Sequence, residues 1–392
     1  MKGRIKTFLL CLLVLLRVCG CGSPAMEVQS EAAGGAPGYE GLVYERSLEL
    51  QYARNFTVDY YEGGYTMLTT TMDGTRLLVV PEGKKSPVRE DGGEKVKVLY
   101  RPARDIYLVA SSAMDMFCAL DGIDAITFSG QREDGWYIEA AREAMQNGEL
   151  LYAGKYNKPD YELIVSGHCT LAIENRMISH APEVAEKLES FGIPVVTEYS
   201  SYEEHPLGRV EWIKFYGALL GKEEEAENIF KEQTAILDEV AAAGDPSMPE
   251  EAGKTVAFFF VTSGGMIQVR QSSDYVPKMI ELAGGAYIFE NLGDAQTKRS
   301  TVNMQAEEFY AGAKDADFLI YNSAIDGGVS DIGELLDKCP LLADFKAVHN
   351  GNVWCTTNDL YQQSLSIGYL IGDIHTMLQE GKGQMRYLYH LD

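Results

Sequence analysis

The chain has 392 residues, of which 46% are hydrophobic and 23% charged, and its formal net charge is −24. This length is enough for two domains of ordinary size. A strongly acidic surface argues against nucleic acid as a partner and against adsorption to anionic lipid, because both carry the same sign of charge.

Residues 1–20 predict a secretory signal. The basic residues Lys2, Arg4 and Lys6 precede an apolar run over residues 8–16, which is the order that such signals have. The run is well short of the ~20 residues that span a bilayer. We therefore expect no permanent transmembrane helix here, and no other segment is apolar enough to form one.

Cys21 is the predicted lipid acceptor. Val18 and the small Gly20 precede it in a pattern that resembles a bacterial lipobox, whereas Cys19 fits that pattern less well. The alternative is an ordinary signal peptide with a chance cysteine. Residues 21–41 are rich in Gly, Pro, Ala, Ser and Glu, a composition that suits a flexible tether. Loss of the signal, with its four basic and no acidic residues, makes the formal charge −28.

Four further cysteines, at positions 118, 169, 339 and 355, lack CxxC spacing and have no histidine nearby in a ligand pattern. Apolar neighbours around Cys118 and Cys169 favour buried thiols over a disulfide. An extracytoplasmic location would permit a bridge, so the sequence leaves that question open.

Residues 42–95 predict a β-rich extension. The pair Asp73-Gly74 stands between two β-branched runs and predicts a hairpin, because both residues tolerate positive φ. From residue 96 to 200, short apolar strands alternate with helical patterns. This alternation predicts an α/β lobe with a parallel sheet and right-handed crossovers.

Residues 201–244 predict one long bridging helix. Ser201 and Glu204 resemble a capping box, Pro206 suits the first turn, and apolar residues then recur at helical spacing with a stagger at Gly221. Residues 254–392 repeat the plan of the first lobe. The predicted fold is therefore α/β, with two Rossmann-like lobes containing parallel sheets, joined by a long helix and preceded by a small β-hairpin extension.

This plan, behind a lipobox, is similar to the class III bacterial substrate-binding proteins of ABC transporters for iron complexes, haem and cobalamin. Four segments carry the resemblance, at residues 200–212, 274–285, 314–322 and 345–354. The similarity runs from about residue 96 to the end, and no role is predicted for residues 39–80.

The resemblance implies a binding protein that is not an enzyme and has no cofactor. We expect a monomer at the outer face of the cell membrane, anchored by lipid on Cys21. It would capture an iron–siderophore, haem or corrinoid between its lobes. It would then deliver that metal chelate to a permease dimer with a cytoplasmic ATPase.

In this family each lobe presents a glutamate to the permease. The matching residues are Glu162 in the first lobe and Glu307 in the second, with Glu308 as the rival because the register is uncertain by one position. Charge pairing at a rim provides orientation and fast encounter. The alternative is that these acids are merely favoured by the helix dipole.

Ligand residues are predicted by position, because ligands in such sheets lie beyond the carboxyl ends of strands. Aromatic faces suit a flat macrocycle or catecholate, and arginines suit its oxygens. The candidates are Ser111, Ser112, Gln131, Arg132, Trp136, Tyr156, Asn175, Arg176, Ser263, Arg270, Asn322, Ser323 and Tyr361. Arg209 is a further candidate that either faces the cleft or pairs with Glu204 or Glu211.

Three alternative functions differ in how well they fit the sequence. A direct zinc or manganese binder of a related class needs clustered ligands, whereas the six histidines are scattered, so no directly bound metal is predicted. A secreted enzyme is disfavoured because the chain lacks GxSxG, Walker, HExxH and GxGxxG motifs. A signalling lipoprotein on the same fold stays open. The acidity of the chain also fits an anionic siderophore poorly, unless the cleft is locally basic.

Overall fold

A computed structural model describes residues 41–87, 96–243, 253–293, 300–380 and 385–392. The predicted signal, Cys21 and nearly all of the tether lie outside these residues. Over the described part of the chain, no helix has the length and apolarity that a membrane span requires.

The strands, in chain order, are β1 (Tyr44–Ser47), β2 (Phe56–Tyr61), β3 (Tyr65–Thr70), β4 (Thr75–Val80), β5 (Val96–Tyr100), β6 (Ile106–Leu108), β7 (Ile126–Ser129), β8 (Leu151–Tyr152), β9 (Gly154–Lys155), β10 (Lys158–Pro159), β11 (Leu171–Asn175), β12 (Val195–Glu198), β13 (Thr255–Val261), β14 (Ile267–Arg270), β15 (Ala286–Tyr287), β16 (Thr301–Met304), β17 (Phe318–Tyr321), β18 (Val353–Thr356) and β19 (Leu388–His390). The α-helices are α1 (Ser111–Ala119), α2 (Glu139–Gln146), α3 (Tyr161–Ser166), α4 (Pro182–Ser190), α5 (Pro206–Glu211), α6 (Ile213–Leu220), α7 (Glu223–Ala243), α8 (Tyr275–Leu282), α9 (Ala306–Ala313), α10 (Ile332–Lys338), α11 (Lys346–His349) and α12 (Ile367–Glu380).

Strands β1 to β5 form one sheet in sequence order, which we call the accessory sheet. The predicted hairpin at Asp73-Gly74 is confirmed: β3 and β4 are antiparallel, Gly74 has φ 70°, and Thr70 Oγ1 donates to Asp73 Oδ1 at 2.6 Å. The sheet is larger than the predicted hairpin extension. It includes β5, which pairs in parallel with β4, so the predicted start of the first lobe at residue 96 is wrong.

The first lobe has a sheet of order β12-β11-β6-β7-β8, and every pair in it is parallel. The parallel sheet predicted for this lobe is therefore confirmed. All residues of β6 are buried, as expected for a strand covered on both faces.

The second lobe has a mixed sheet of order β16-β14-β13-β17-β18-β19, with β15 paired to β13. Its centre, β13, β17 and β18, is parallel as predicted, whereas β14, β16 and β19 run antiparallel to their neighbours. The antiparallel strands are an addition to the predicted parallel sheet, because residues 262–265 form a tight hairpin turn between β13 and β14 instead of entering a crossover helix.

The bridging tract is helical, but it is not one helix. Gly221 adopts left-handed φ and ends α6, which glycine does readily because it has no Cβ. Helix α7 then packs back against α6: Lys214 Nζ lies 3.0 Å from Glu227 Oε2, and a Cβ on Gly217 would lie 2.5 Å from that of Ala226. The predicted single helix over 201–244 is therefore corrected to α5, α6 and a reversed α7.

Two buried glutamates hold the accessory sheet against the bridging tract, residues 201–243, which we call the bridge. Backbone N–H groups of residues 51–53 donate to the Glu211 carboxylate at 2.8–3.1 Å. Those of residues 54 and 55 donate to Glu203 at 2.9 Å, and Trp212 Nε1 donates to Glu203 at 2.8 Å. Five consecutive backbone donors are thus satisfied by two carboxylates, which fixes the loop that leads into β2.

An aromatic cluster reinforces this contact. Phe56 of the accessory sheet lies 4.9 Å from Trp212 and 5.6 Å from Phe215, measured between ring centroids. Phe117 of the first lobe lies 5.0 Å from Tyr216. Each of these rings is at most 3% exposed, so one apolar core joins the accessory sheet, the bridge and the first lobe.

Strand β11 also carries an unusual carboxyl group. Glu174 is fully buried, neither of its oxygens has a hydrogen bond, and burial raises its pKa to about 8. A buried carboxyl of this kind stays protonated at neutral pH because ionisation without water or partners is costly.

We expect this group to make stability fall as pH rises. The pKa of Glu174 is higher in the native state than in the unfolded state. The native protein therefore has its full stability below about pH 4.5, and the free energy of unfolding falls as pH rises through about 8. Glu174→Gln should remove this dependence and exceed the wild type in stability by roughly 3 kcal/mol at pH 7. Urea unfolding at several pH values measures the difference, with the exposed Glu186→Gln as control. Parallel pH profiles for wild type and Glu174→Gln would contradict the assignment.

Candidate functional site

A cleft of about 750 Å³ lies between the two lobes. The carboxyl ends of β6, β11 and β12 form one side, because parallel strands end at a common edge. The start of the bridge lies at the base of the cleft, and residues of the second lobe line its other side. The residues that line the cleft include Asn55, Met72, Ser112, Met177, Glu198, Tyr202, Glu203, Glu204, Asp274 and Tyr275.

The structure brings half of the predicted ligand residues to this cleft. They are Ser111, Ser112, Asn175, Arg176, Arg209, Arg270 and Tyr361. Those of the first lobe follow β6 and β11, as the position of the strand ends predicts. The two arginines and Tyr361 come from the bridge and the second lobe and reach the same space.

Residues after β7 do not line this cleft, because the lobes are in contact there. Gln362 of the second lobe donates to the Gly135 carbonyl at 2.7 Å and accepts from the Tyr137 N–H at 2.8 Å. Gln131, predicted at the cleft, turns its side-chain amide to the Gly135 carbonyl. Trp136 is buried and donates to Ser129 Oγ at 3.2 Å.

Arg132 lies in a different depression. Its guanidinium stacks over Tyr152 at 4.1 Å, and both residues line a shallow hollow of about 830 Å³ at the β8 edge of the first lobe. Trp136 lines the same hollow. Arg132 and Trp136, which the sequence predicted at the cleft, therefore line this hollow instead.

The four other candidates also stand outside the cleft lining. Tyr156 packs against the core of the first lobe, and Ser263 occupies the exposed β13–β14 turn, where a hairpin replaces the expected crossover. Ser323 is buried and bonds to Thr356 of β18. Asn322 acts indirectly, since its amide donates to the Tyr361 hydroxyl at 2.7 Å and so positions that side chain.

Arg209 on α5 is a buried cation at the cleft. It is 6% exposed, its guanidinium lies 3.9 Å from the ring centroid of Tyr275, and Nε has no hydrogen-bond partner. Within the described residues it forms no ion pair. The pairing with Glu211 considered from sequence is not made, because that carboxylate accepts from residues 51–53 and from Lys214 at 3.1 Å.

Arg270 differs from Arg209 because its charge is already paired. Its guanidinium lies 3.6 Å from Asp274 Oδ2 and donates to the Tyr361 hydroxyl. Burial opposes the charge of Arg270, yet the neighbouring Tyr361 and Asp274 raise its pKa. A cation held in this way shapes the cleft wall, whereas Arg209 keeps its donors available.

The acidic residues of the cleft are largely engaged by the protein itself. Glu198 is buried and accepts from Ser112 Oγ at 2.9 Å and from the Ser200 N–H at 2.7 Å. Burial raises the pKa of Glu198, and the nearby Arg209 opposes that rise. Glu203 accepts hydrogen bonds from the accessory sheet, and Asp274 is paired with Arg270. Glu204 is exposed to solvent, where water screens its charge.

Sequence reasoning missed several lining residues. Met177 adjoins the predicted Arg176 and could have been found by extending that loop, and Tyr202 follows the end of β12, a strand end from which no candidate was taken. Tyr275 begins α8 and carries no local signal of its role. Asn55 and Met72 belong to the accessory sheet, whose position beside the cleft depends on contacts with residues about 150 positions away.

Cys118, Cys169, Cys339 and Cys355 are free thiols, in line with the expectation for the first two. Burial raises the pKa of the Cys169 thiol to about 11, which makes it a poor nucleophile. Across the described ranges, no three His, Cys, Asp or Glu side chains are grouped so as to hold a metal ion.

The two cleft arginines should differ in their effect on the stability of the free protein. Arg270→Met should lower the free energy of unfolding by about 3 kcal/mol, because it leaves Asp274 buried without its cation. Arg209→Met should change it by less than about 1 kcal/mol, since no hydrogen bond is lost. Urea unfolding of both variants measures this, and equal losses would contradict the view that Arg209 is unpaired.

A family described as periplasmic binding proteins matches residues 129–360, which is more than half of the chain. An uncharacterized lipoprotein of Methanocaldococcus jannaschii is 24% identical over 411 residues, covering 96% of this chain and 93% of its own. A second uncharacterized lipoprotein of that organism is 26% identical over 359 residues, covering 87% and 86%.

Solved structures share the fold. A periplasmic haem-binding protein from Pseudomonas aeruginosa superposes with a TM-score of 0.58 at 17% identity, covering 74% of this chain and 98% of its own. A molybdate periplasmic binding protein of a Haemophilus influenzae ABC transporter gives 0.55 at 11% identity, covering 70% and 86%. The predicted class III α/β fold is thereby confirmed. The chain belongs to the periplasmic binding protein family, a family of binding proteins and not of enzymes.

Proposed function

We propose that this protein captures a metal chelate that carries an anionic group, from the classes of iron–siderophores, haem or corrinoids, in the interlobe cleft and delivers it to an ABC permease. The observation that carries the proposal is Arg209, a buried guanidinium at a cleft of about 750 Å³ that forms no hydrogen bond or ion pair with the described residues. A buried cation without a partner is costly, and an anionic ligand would remove that cost.

The cleft chemistry supports a flat or aromatic chelate. Tyr202, Tyr275 and Tyr361 present rings to the cavity, and aromatic faces stack on conjugated ligands. Guanidinium groups bind carboxylate and phenolate oxygens through paired hydrogen bonds. Arg176 adds a second cation, which stacks on Tyr202 at 4.6 Å. The lining also contains four acidic residues, so the attraction for an anion comes from Arg209 and Arg176, which form no ion pair with the described residues, and not from an excess of positive charge.

The size of the cavity favours a chelate over a bare oxyanion. Ligand pockets for drug-sized molecules span about 300–1,000 Å³, and this cleft falls in that range. One structural neighbour is described as binding haem and another molybdate. A molybdate ion would leave most of a 750 Å³ cavity to water, whereas a macrocycle or siderophore would fill it.

The alternatives have weaker support. A zinc or manganese site needs several free His or carboxylate ligands, and the buried carboxylates at this cleft already accept hydrogen bonds from the protein. A signalling lipoprotein on the same fold could keep the cleft, so the permease interaction decides between that function and transport.

Ligand capture is testable on the domain that follows the tether. Native mass spectrometry against haemin, cyanocobalamin, ferric enterobactin and ferrichrome should reveal one chelate per chain. Arg209→Gln should weaken binding about ten-fold or more, because a buried charge pair is lost. Arg132→Gln, at the separate hollow, is the matched control and should bind as the wild type does. Equal binding by Arg209→Gln and wild type would reject the proposed role of Arg209.

For delivery, we propose that Glu162 and Glu307 contact the permease, with Glu308 still the rival of Glu307. All three are exposed first-turn residues, of α3 and α9 respectively. Each helix leads into a parallel strand, β11 or β17, and so starts at the carboxyl edge of its sheet, where the cleft lies. This placement supports a rim role, separate from the ligand-binding residues.

Replacing Glu162 and Glu307 together with Ala should weaken association with the cognate permease in proteoliposomes by about ten-fold or more. Chelate affinity should stay within two-fold of the wild type, about the size of a surface effect. Glu186→Ala, an exposed acid elsewhere on the first lobe, is the control. Impairment by Glu308→Ala but not by Glu307→Ala would shift the assignment by one residue. Loss of ligand binding in Glu162→Ala would contradict docking.

Anchoring is proposed at Cys21, which would place the protein at the outer face of the membrane. The support is the lipobox-like sequence together with two relatives that are named lipoproteins. Labelled palmitate should enter the wild type and not Cys21→Ser, and equal labelling of both would exclude this anchor.

A further inference from the structure

We propose that the accessory sheet is part of the ligand site and selects chelates that combine an apolar face with an anionic edge. This inference rests on the proposed function. The accessory sheet lies before residues 129–360, so it falls outside the segment that matches the family. Its Met72 and Asn55 nevertheless line the same cleft as Arg209 and Tyr361.

The two residues are held in place by hydrogen bonds of their own loops. The Asn55 N–H donates to Glu203, and the Asn55 carbonyl accepts from the Thr71 N–H at 2.9 Å. Asp73, next to Met72, accepts from the Tyr199 hydroxyl at 3.1 Å. The loops are thus tied to each other and to the first lobe, as a preorganised binding wall requires.

Three of the side chains that line the cleft are largely apolar and accessible, among polar neighbours such as Asn55 and Glu204. Met72 is half-buried, Met177 is 47% exposed and Tyr202 is 40% exposed, although all three line a cavity. Thioethers are flexible and polarizable, and they make favourable contacts with aromatic faces. An apolar wall of this kind, shared between the accessory sheet and the first lobe, fits a conjugated ring system.

Arg209 adds a second requirement, because its buried charge favours an anionic group on the ligand. A ligand that satisfies both requirements has a flat apolar face and an edge bearing carboxylate or phenolate oxygens. A second cavity of about 340 Å³ adjoins the cleft and shares Asn55, Tyr202, Glu203 and Glu204 with its lining. An uncharged, hydrophilic chelate would leave the apolar wall wet and Arg209 unpaired.

A purely supporting role for the sheet is the competing explanation, because Glu203 and Glu211 already tie it to the bridge. The test therefore changes one side chain without touching these ties. Haemin and ferric enterobactin, which are anionic with aromatic faces, and the uncharged ferrichrome are titrated into the domain. The tighter of the two anionic probes is then measured against Met72→Asp, Met72→Leu and Thr57→Asp, the last at an exposed position of β2.

We expect Met72→Asp to weaken the anionic probe about ten-fold or more, with Met72→Leu and Thr57→Asp within about three-fold of the wild type. Binding of the probe to Met72→Asp at wild-type strength would overturn the inference and leave the proposed function intact. An equal loss in Thr57→Asp would also overturn it, since the effect would then act through the fold. Preferential binding of ferrichrome would overturn the ligand class. If no probe binds, the proposed function fails and this inference fails with it.

Discussion

The cleft depends on two buried carboxylates at the start of the bridge. Glu211 and Glu203 accept the backbone N–H groups of residues 51–55, and Lys214 offsets the charge of Glu211 from 3.1 Å. Buried charges persist in proteins when donors of this kind surround them. The accessory sheet, the bridge and the first lobe are therefore fixed relative to one another, and the side chains that they present to the cleft are fixed as well.

The electrostatics of the cleft follow from which charges have partners, not from how many there are. The buried acids accept hydrogen bonds from neighbouring donors, and Arg270 is paired with Asp274. Arg209 forms no ion pair or hydrogen bond with the described residues; it contacts the face of Tyr275, and its charge acts only at longer range on Glu198 and Asp274. In a protein whose net charge is −24, this one arrangement reconciles an acidic chain with an anionic ligand. In the proposed function the surface charge serves solubility, while the buried cation recognises the ligand.

Local sequence patterns predicted the parts of the fold that depend on residues close together in the chain. Alternating strands and helices indicated the parallel sheet of the first lobe, and Asp73-Gly74 marked a real turn. Long-range pairings had no such signal: β5 joins β4, and Glu211 binds a loop about 160 residues earlier. The site shows the same division. Residues following β6 and β11 were found from strand ends, whereas Gln131 and Trp136 were misplaced because Gln362 packs against their loop.

The central claim is that a chelate sits between the lobes with an anionic group on Arg209. Crystals grown with haemin or ferric enterobactin, measured at the iron absorption edge, test it most directly. The account predicts an anomalous peak inside the cleft and a ligand oxygen about 3 Å from the Arg209 guanidinium, the distance of a charged hydrogen bond. An iron peak elsewhere, or a ligand in the cleft that leaves Arg209 without an anionic neighbour, would contradict it.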